Sequence, residues 1–271
     1  MKKLFATASI LALSSAAVSA ADLPMKAAPY AAPIPVFSWT GCYVGAHGGG
    51  GTMHDSNTQD FNPLFGFSST QNGGTGTGGV AGGQIGCNYQ DGNAVFGLEG
   101  EGYWSGIRTS TGVSETITEG ATTFNETFNS TSRNKSDFSI AARFGLAFDR
   151  TLVYGKAGWV WGRFDFGTSE TTSVTGEGST IRAFTQSGTL DGLLLGVGVE
   201  HAFTQNWTVK LEYNFLDFGS KALNASCFDG GSGSCTGFLL STTQHAQKHI
   251  FKVGFNYLFN AWGAPPLVAK Y

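Results

Sequence analysis

What the chain has little of narrows its identity first. Charged residues make up only 13% of the 271 positions, about half of the ~25% usual in a soluble domain. No basic run occurs and the formal net charge is −3, so the electrostatic footprint of a nucleic-acid binder is missing. Beyond residues 1–20, no stretch approaches the ~20 consecutive apolar residues that a spanning helix requires. Proline is scarce, at 7 residues, and sits mostly in the two terminal segments. Glycine is abundant, at 40 residues, but follows no period of three, which excludes a collagen-like chain.

The N-terminus reads as a secretory signal over residues 1–20. Lys2 and Lys3 form a charged start, residues 4–13 an apolar run too short to span, and Val18-Ser19-Ala20 a small-residue cleavage site. No cysteine follows the apolar run, which argues against a lipoprotein anchor. The chain is therefore expected to be exported, and any insertion into a membrane must use strands. Residues 21–38, rich in Ala and Pro, read as a flexible periplasmic lead-in.

One strand is written plainly near the end, His249-Ile250-Phe251-Lys252-Val253-Gly254-Phe255-Asn256-Tyr257-Leu258-Phe259. Odd positions from Phe251 to Phe259 are apolar and mostly aromatic, while Lys252, Gly254 and Asn256 are small or polar. Successive strand residues face opposite sides, so one face is greasy and the other is not. Seven further stretches share this period: 39–50, 80–90, 94–108, 137–149, 151–166, 190–204 and 207–219, with the last at 246–259. The second and third, fourth and fifth, and sixth and seventh are joined by Asp91-Gly92-Asn93, Asp149-Arg150 and Gln205-Asn206. The remaining links are long and full of Gly, Ser, Thr and Asn. Strict alternation of short and long links predicts an all-β fold, an eight-stranded antiparallel transmembrane barrel over residues 39–259. It is an up-and-down meander with short periplasmic turns and long extracellular loops. Residues 260–271 follow as a tail.

Strand parity sets the facing. Phe96, Leu98, Ile140, Phe144, Trp159, Leu195, Val197, Leu211 and Tyr213 point outward. Glu99, Glu101, Arg143, Lys156, Glu200, Lys210, Glu212 and Lys252 point inward. A charge in a narrow interior costs several kcal/mol unless paired, so four acids balanced by four bases read as a lumen charge network, with Lys252 paired to Glu212. Eight strands leave an interior barely wide enough for side chains, which argues against a solute channel. Two aromatic girdles are expected, Trp39, Tyr89, Tyr154, Trp207, Tyr257 and Phe259 near the periplasmic turns, and Tyr103, Trp104, Trp161, Phe166 and Phe218 toward the loops.

Four cysteines in an exported chain suggest disulfides and allow three pairings. The close spacing of Cys227 and Cys235 in a Gly/Ser loop favours a local bridge, which leaves Cys42 and Cys87. His54, Asp55 and Ser56 could form an acyl-transfer set, but adjacent residues on a flexible stretch lack the positional accuracy that catalysis needs, so no enzyme is expected. His54, His245 and His249 are the residues that would ligate haem, against solvated loop histidines as the plainer reading. Arg108 and Arg163, outward near the loop end, are placed to meet lipopolysaccharide phosphates.

Several segments also resemble a known family. Ala21-Asp22-Leu23-Pro24-Met25-Lys26 followed by Trp39-Thr40-Gly41-Cys42-Tyr43-Val44-Gly45 is similar to the start of small outer-membrane barrels of alphaproteobacteria. Gly97-Leu98-Glu99-Gly100-Glu101, Asn206-Trp207-Thr208-Val209-Lys210-Leu211-Glu212-Tyr213 and Phe251-Lys252-Val253-Gly254-Phe255 match as well. That family includes major surface proteins of Brucella and rhizobia and haemin-binding proteins of Bartonella. The resemblance covers the mature chain but not the loops. It implies an eight-stranded outer-membrane barrel that supports envelope integrity, inserted by the barrel assembly machinery among outer-membrane lipids. No cofactor is expected, although some relatives bind haem through their loops. Cys42 and Cys87 stand where that family usually has aromatic residues, and two such departures on neighbouring strands suggest a cross-strand disulfide. A narrow-pore porin and a surface receptor for a ligand such as haem are the alternative functions.

Overall fold

The computed structural model describes residues 37–61, 67–71, 74–119, 122–176, 178–229 and 240–259. The expected signal, nearly all of the lead-in, and the tail lie outside them. Ten strands appear: β1 (Gly41–Phe61), β2 (Phe67–Gln71), β3 (Thr75–Asp91), β4 (Ala94–Ser105), β5 (Arg108–Glu119), β6 (Thr122–Phe148), β7 (Thr151–Val174), β8 (Gly178–Ala202), β9 (Trp207–Asp229) and β10 (Leu240–Phe259). All pairings are antiparallel. Eight of the strands, β1, β3, β4 and β6 to β10, form the wall, which closes where β1 pairs with β3 on one edge and β10 on the other. β2 and β5 extend the sheet from the loop end, pairing with β1 and with β6.

The short turns fall where the sequence places them. Gly92 takes φ +58° between β3 and β4, and Asp149 takes φ +54° between β6 and β7. Positive φ lets a two-residue loop match the twist of the flanking strands, and Gly and Asp tolerate that conformation. The β8–β9 link runs over residues 203–206, where Thr204 Oγ1 accepts from the backbone N–H groups of Asn206 at 3.2 Å and Trp207 at 2.9 Å.

The long links depart from expectation. They are read above as loops, yet much of them continues the sheet, and β6 alone runs 27 residues. Crossing a bilayer takes only ~9–11 tilted strand residues, so the barrel rises far beyond the membrane. The cause is compositional. Segments such as 108–119 and 122–133 are dense in Thr and other β-formers, and each finds an adjacent strand to complete its ladder.

Alternation governs the wall. On β6 the residues from Asp137 to Phe148 switch strictly between buried and exposed. Phe138, Ile140, Phe144, Leu146 and Phe148 face outward, as do Leu193, Leu195, Val197 and Val199 on β8. The girdles need correction. Tyr89, Trp104, Trp161, Trp207, Tyr257 and Phe259 do lie on the outer surface, but Trp39, Tyr103, Tyr154, Phe166 and Phe218 are buried inside. Tyr103 shares parity with Glu101 and Tyr154 with Lys156, so alternation outweighs the interfacial preference of their rings. The end of the lead-in is also ordered. Phe37 and Trp39 pack with Tyr43, Val95, Leu152, Tyr154 and Leu258 in the turn-side mouth, and the Trp39 backbone N–H donates to Gln90 Oε1 at 2.7 Å.

Cys42 and Cys87 stand opposite each other in the β1–β3 register and are joined by a disulfide. Cys235 lies outside the described residues, so the second bridge is not seen. The Cys42–Cys87 bond staples the pairing that closes the barrel. Its sequence separation of 45 corresponds to about 4 kcal/mol of lost unfolded-state entropy on the chain-entropy account. A Cys42→Ser/Cys87→Ser variant should still fold to a heat-modifiable barrel but lose it at a clearly lower temperature. Gel migration of unboiled samples heated in steps, with and without reductant, measures this.

Candidate functional site: a charged plug inside the barrel

All eight inward charges expected from parity are buried in the lumen and meet near its middle. Lys156 Nζ contacts Glu99 Oε1 at 3.0 Å, Glu101 Oε2 at 2.8 Å and Glu212 Oε1 at 2.8 Å. Lys252, directly opposite Glu212 in the β9–β10 ladder, reaches Glu212 Oε1 at 3.0 Å and Glu101 Oε1 at 2.8 Å. Lys210 lies 3.2 to 3.4 Å from Glu99, Glu101 and Glu212. Arg143 bonds Glu200 Oε2 at 2.8 Å and approaches Glu99 Oε2 at 3.4 Å.

Neutral groups complete the set. The Tyr43 hydroxyl accepts from Arg143 and donates to Glu99 Oε2 at 2.7 Å. The Tyr154 hydroxyl donates to Glu212 Oε2 at 2.7 Å, and the Arg143 guanidinium lies 3.9 Å from the Tyr154 ring centroid. Asn256 Nδ2 donates to Glu200 Oε1 at 2.7 Å and Asn214 Nδ2 to Glu212 Oε1 at 2.9 Å. Gln84 Nε2 donates to Asn256 Oδ1 at 2.7 Å, and its Oε1 lies 2.6 Å from His47 Nδ1. Each of the eight wall strands thus contributes a side chain to one connected network. Glycine on the inner wall makes the room: a Cβ at Gly198 would lie 2.6 Å from the Tyr154 phenol.

Glu99, Glu101 and Glu212 bring carboxylate oxygens within 4.8 Å of one another, a donor set dense enough for a divalent cation. The ammonium groups of Lys156, Lys210 and Lys252 already neutralise it, so the chemistry is that of an ion-pair cluster.

Apolar layers close the cluster from both sides. On the turn side lies the group around Phe37 and Trp39. On the loop side Met53, Val80, Tyr103, Ile107, Phe164, Leu190, Leu216, Phe218 and Ile250 pack together, with the Phe164 and Phe218 rings edge to face at 5.1 Å. Within this second layer sits a pair absent from the sequence reading. Lys248 is fully buried, bonds Asp137, and donates to Asn134 Oδ1 at 2.9 Å, while Asn134 Nδ2 donates to Asp137 Oδ1 at 2.8 Å. Parity could have found Lys248, which matches Lys252, and Asp137, which matches Arg143. Asn134 could not be found so, because the ladder slips between Asn134 and Ser136, and a bulge resets parity. Asp55 was also missed as an inward group; its Oδ2 accepts from Thr109 at 3.0 Å.

The haem candidates end elsewhere. His54 Nδ1 lies 3.1 Å from Thr75 Oγ1, His249 Nδ1 2.7 Å from the Tyr213 hydroxyl, and His245 Nε2 3.1 Å from Asp217 Oδ1. All three project from the outer wall of β1 and β10, each held by its own partner, and no lumen cavity gathers them. His54, Asp55 and Ser56 lie on β1 with alternate facing, so they do not converge as a triad. Arg108 and Arg163 are exposed on the outer wall, Arg108 at the start of β5 and Arg163 on β7.

A closed antiparallel wall, greasy outside and packed with paired charges inside, defines an outer-membrane β-barrel. The comparisons agree: the sequence model described as outer membrane protein beta-barrel domain matches residues 8–259, and the chain belongs to that family. It is 31% identical over 263 residues to a 31 kDa outer-membrane immunogenic protein of Brucella melitensis, covering 93% of this chain and 98% of that one. It is 30% identical over 208 residues to a 22 kDa outer membrane protein of Rhizobium leguminosarum, covering 75% and 74%. The crystal structure of OprG from Pseudomonas aeruginosa aligns with a TM-score of 0.43 and 12% identity over 83% of this chain and 99% of that one. The protein is accordingly an outer-membrane protein of the alphaproteobacterial barrel type.

Breaking the cluster should be costly. Lys210→Met leaves three carboxylates short of a partner in a dry interior and should destabilise the barrel by about 3–5 kcal/mol. Adding Glu99→Gln should recover a substantial part. Urea titration of the folded protein in lipid vesicles, followed by tryptophan fluorescence, reads both.

Proposed function

We propose that the protein is a non-conducting structural barrel that supports the outer membrane and displays an extended strand-rich crown at the cell surface. The observation that carries this reading is the three-layer filling of the lumen: an apolar layer, a charge-neutral cluster, and a second, mainly apolar layer whose ion pair, Lys248 with Asp137, is itself closed. An ion entering such a lumen would have to displace cations that each hold two or three carboxylates, and it would meet mainly apolar side chains before and after them. Water and ions gain little in either apolar layer. The long extensions of β1 and β6 to β10 beyond the bilayer supply the surface crown. The Brucella relative is named as immunogenic, as a surface-displayed crown would be.

The porin reading requires a continuous wet path, which the lumen packing opposes. A haem receptor requires converging histidines, and the outward spread of His54, His245 and His249 opposes that.

In planar bilayers the purified protein should give no stable single-channel current. A deletion strain should become sensitive to detergent and chelator, and the wild-type gene should restore resistance. Steady ohmic conductance, or a deletion strain with an unaltered envelope, would overturn the reading.

A further inference from the structure

The outer wall changes character abruptly at the top of its greasy belt on one side of the barrel. On β4, β6 and β7 the outward residues end in Trp104, Phe138 and Trp161, with the Phe138 and Trp161 rings stacked at 5.9 Å. Such aromatic residues mark the level of the membrane interface. Above them the outward face of β5, β6 and β7 carries four cations, Arg108, Arg133, Lys135 and Arg163. Arg108 on β5 stands directly opposite Arg133 on β6, and Arg133 opposite Asp165 on β7. Arg163 follows Trp161 on the outer face of β7, and Lys135 lies beside Arg133 on β6. The bulge at Asn134/Ser136 keeps Arg133 and Lys135 outward while Asn134 and Asp137 face the lumen.

Two like charges directly opposite across a ladder are destabilising. Lys135 is paired with Asp165 at 2.5 Å, but the guanidinium groups of Arg108, Arg133 and Arg163 have no ion pair or hydrogen bond among the described residues. An open groove of about 730 Å3 runs beside Arg133, lined by Thr131, Arg133, Lys135, Asp165 and Gln186. On β8 and β9 the outward charges next to the aromatic row are Asp191, opposite Trp161, and Asp217, and above them Lys221 donates to the Thr189 carbonyl oxygen at 2.8 Å. Among the described side chains the cluster of exposed cations therefore lies on one side.

We propose that the outer wall of β5, β6 and β7 above Trp104, Phe138 and Trp161 is a binding site for the phosphorylated headgroup of lipid A. The site lies at the end of the barrel opposite the short turns, which is the outer leaflet, where lipopolysaccharide is the lipid. Arg presents planar paired donors to a phosphate, and a dianionic headgroup between Arg108 and Arg133 turns their repulsion into attraction. The aromatic row beneath would contact the first methylenes of the acyl chains. The extra cations on β6 and the single-sided placement extend the expectation from Arg108 and Arg163 to a four-residue site.

The test uses refolded full-length mature protein in detergent micelles, titrated with bis-phosphorylated lipid A. Relative to wild type, the variant Arg108→Ser/Arg133→Ser/Lys135→Ser/Arg163→Ser should bind at least tenfold more weakly while keeping heat-modifiable migration. Arg133→Gln alone, a single exposed change, should lose part of the affinity and serves if the fourfold variant does not refold. Dephosphorylated lipid A and phosphatidylglycerol micelles should bind wild type much more weakly than the phosphorylated form. Equal binding by wild type and both variants would overturn the proposal. Equal affinity for phosphatidylglycerol would show a general anionic surface and overturn the assignment to lipid A.

Discussion

The structure depends on one constraint. Inside hydrocarbon no water can satisfy a backbone N–H or C=O, so each must find a partner within the protein. For strands the solution is closure, because an open sheet leaves a row of unpaired groups on each edge. The β1–β3 and β1–β10 ladders close the wall at its seam, and the Cys42–Cys87 bond joins the two strands of one of them. Closure at eight strands then fixes the interior width, leaving room for side chains and little else.

From that width the lumen chemistry follows. Alternation sends half the wall side chains inward, where a hydrophobic filling would serve as well as a polar one for a protein needing only packing. The interior instead holds acids and bases in balance, each with several partners. Lys156 and Lys210 each reach three carboxylates, so no single rotamer change frees a charge. The apolar layers around Trp39 and Phe164 flank the cluster on both sides, and a low-dielectric surround strengthens the ion pairs between them. The side chains that fill the lumen are thus also the ones that connect all eight wall strands.

The number of wall strands, the turn positions, the wall facing and the central charges were legible from period two and from the alternation of short and long links. These signals are local, and antiparallel neighbours inherit them directly. What was hidden had two sources. Residue type competed with parity at Tyr103, Tyr154 and Phe218, where a polar-edged or bulky ring suggested an interface while alternation placed it inside. Composition misled in the long links, since Gly, Ser and Thr read as loop when no partner is known, yet form strand when a neighbour extends beyond the membrane. The bulge at Asn134 has no local mark at all, so Asn134, and the buried Lys248–Asp137 bond it supports, became visible only in the register.

The charge cluster also bears on register. A one-residue slip turns every side chain of a strand to the other face. For β9 that would carry Lys210 and Glu212 into lipid and Leu211 and Tyr213 into the lumen, and a Lys at mid-bilayer costs about 2–4 kcal/mol. The slip would also strand Lys156 on β7 and Lys252 on β10 without Glu212, adding the cost of two broken buried pairs. A uniformly apolar filling would carry no such penalty, because a greasy residue is as content in lipid as in a greasy lumen. The inward charges are therefore what makes the two faces of each strand unequal, and the inequality is greatest where the wall is deepest in hydrocarbon. In β1 and β3, whose faces carry Gly48, Gly50, Gly79 and Gly83 and little charge, alternation alone discriminates weakly. There the disulfide between Cys42 and Cys87 holds the register that the charges hold elsewhere.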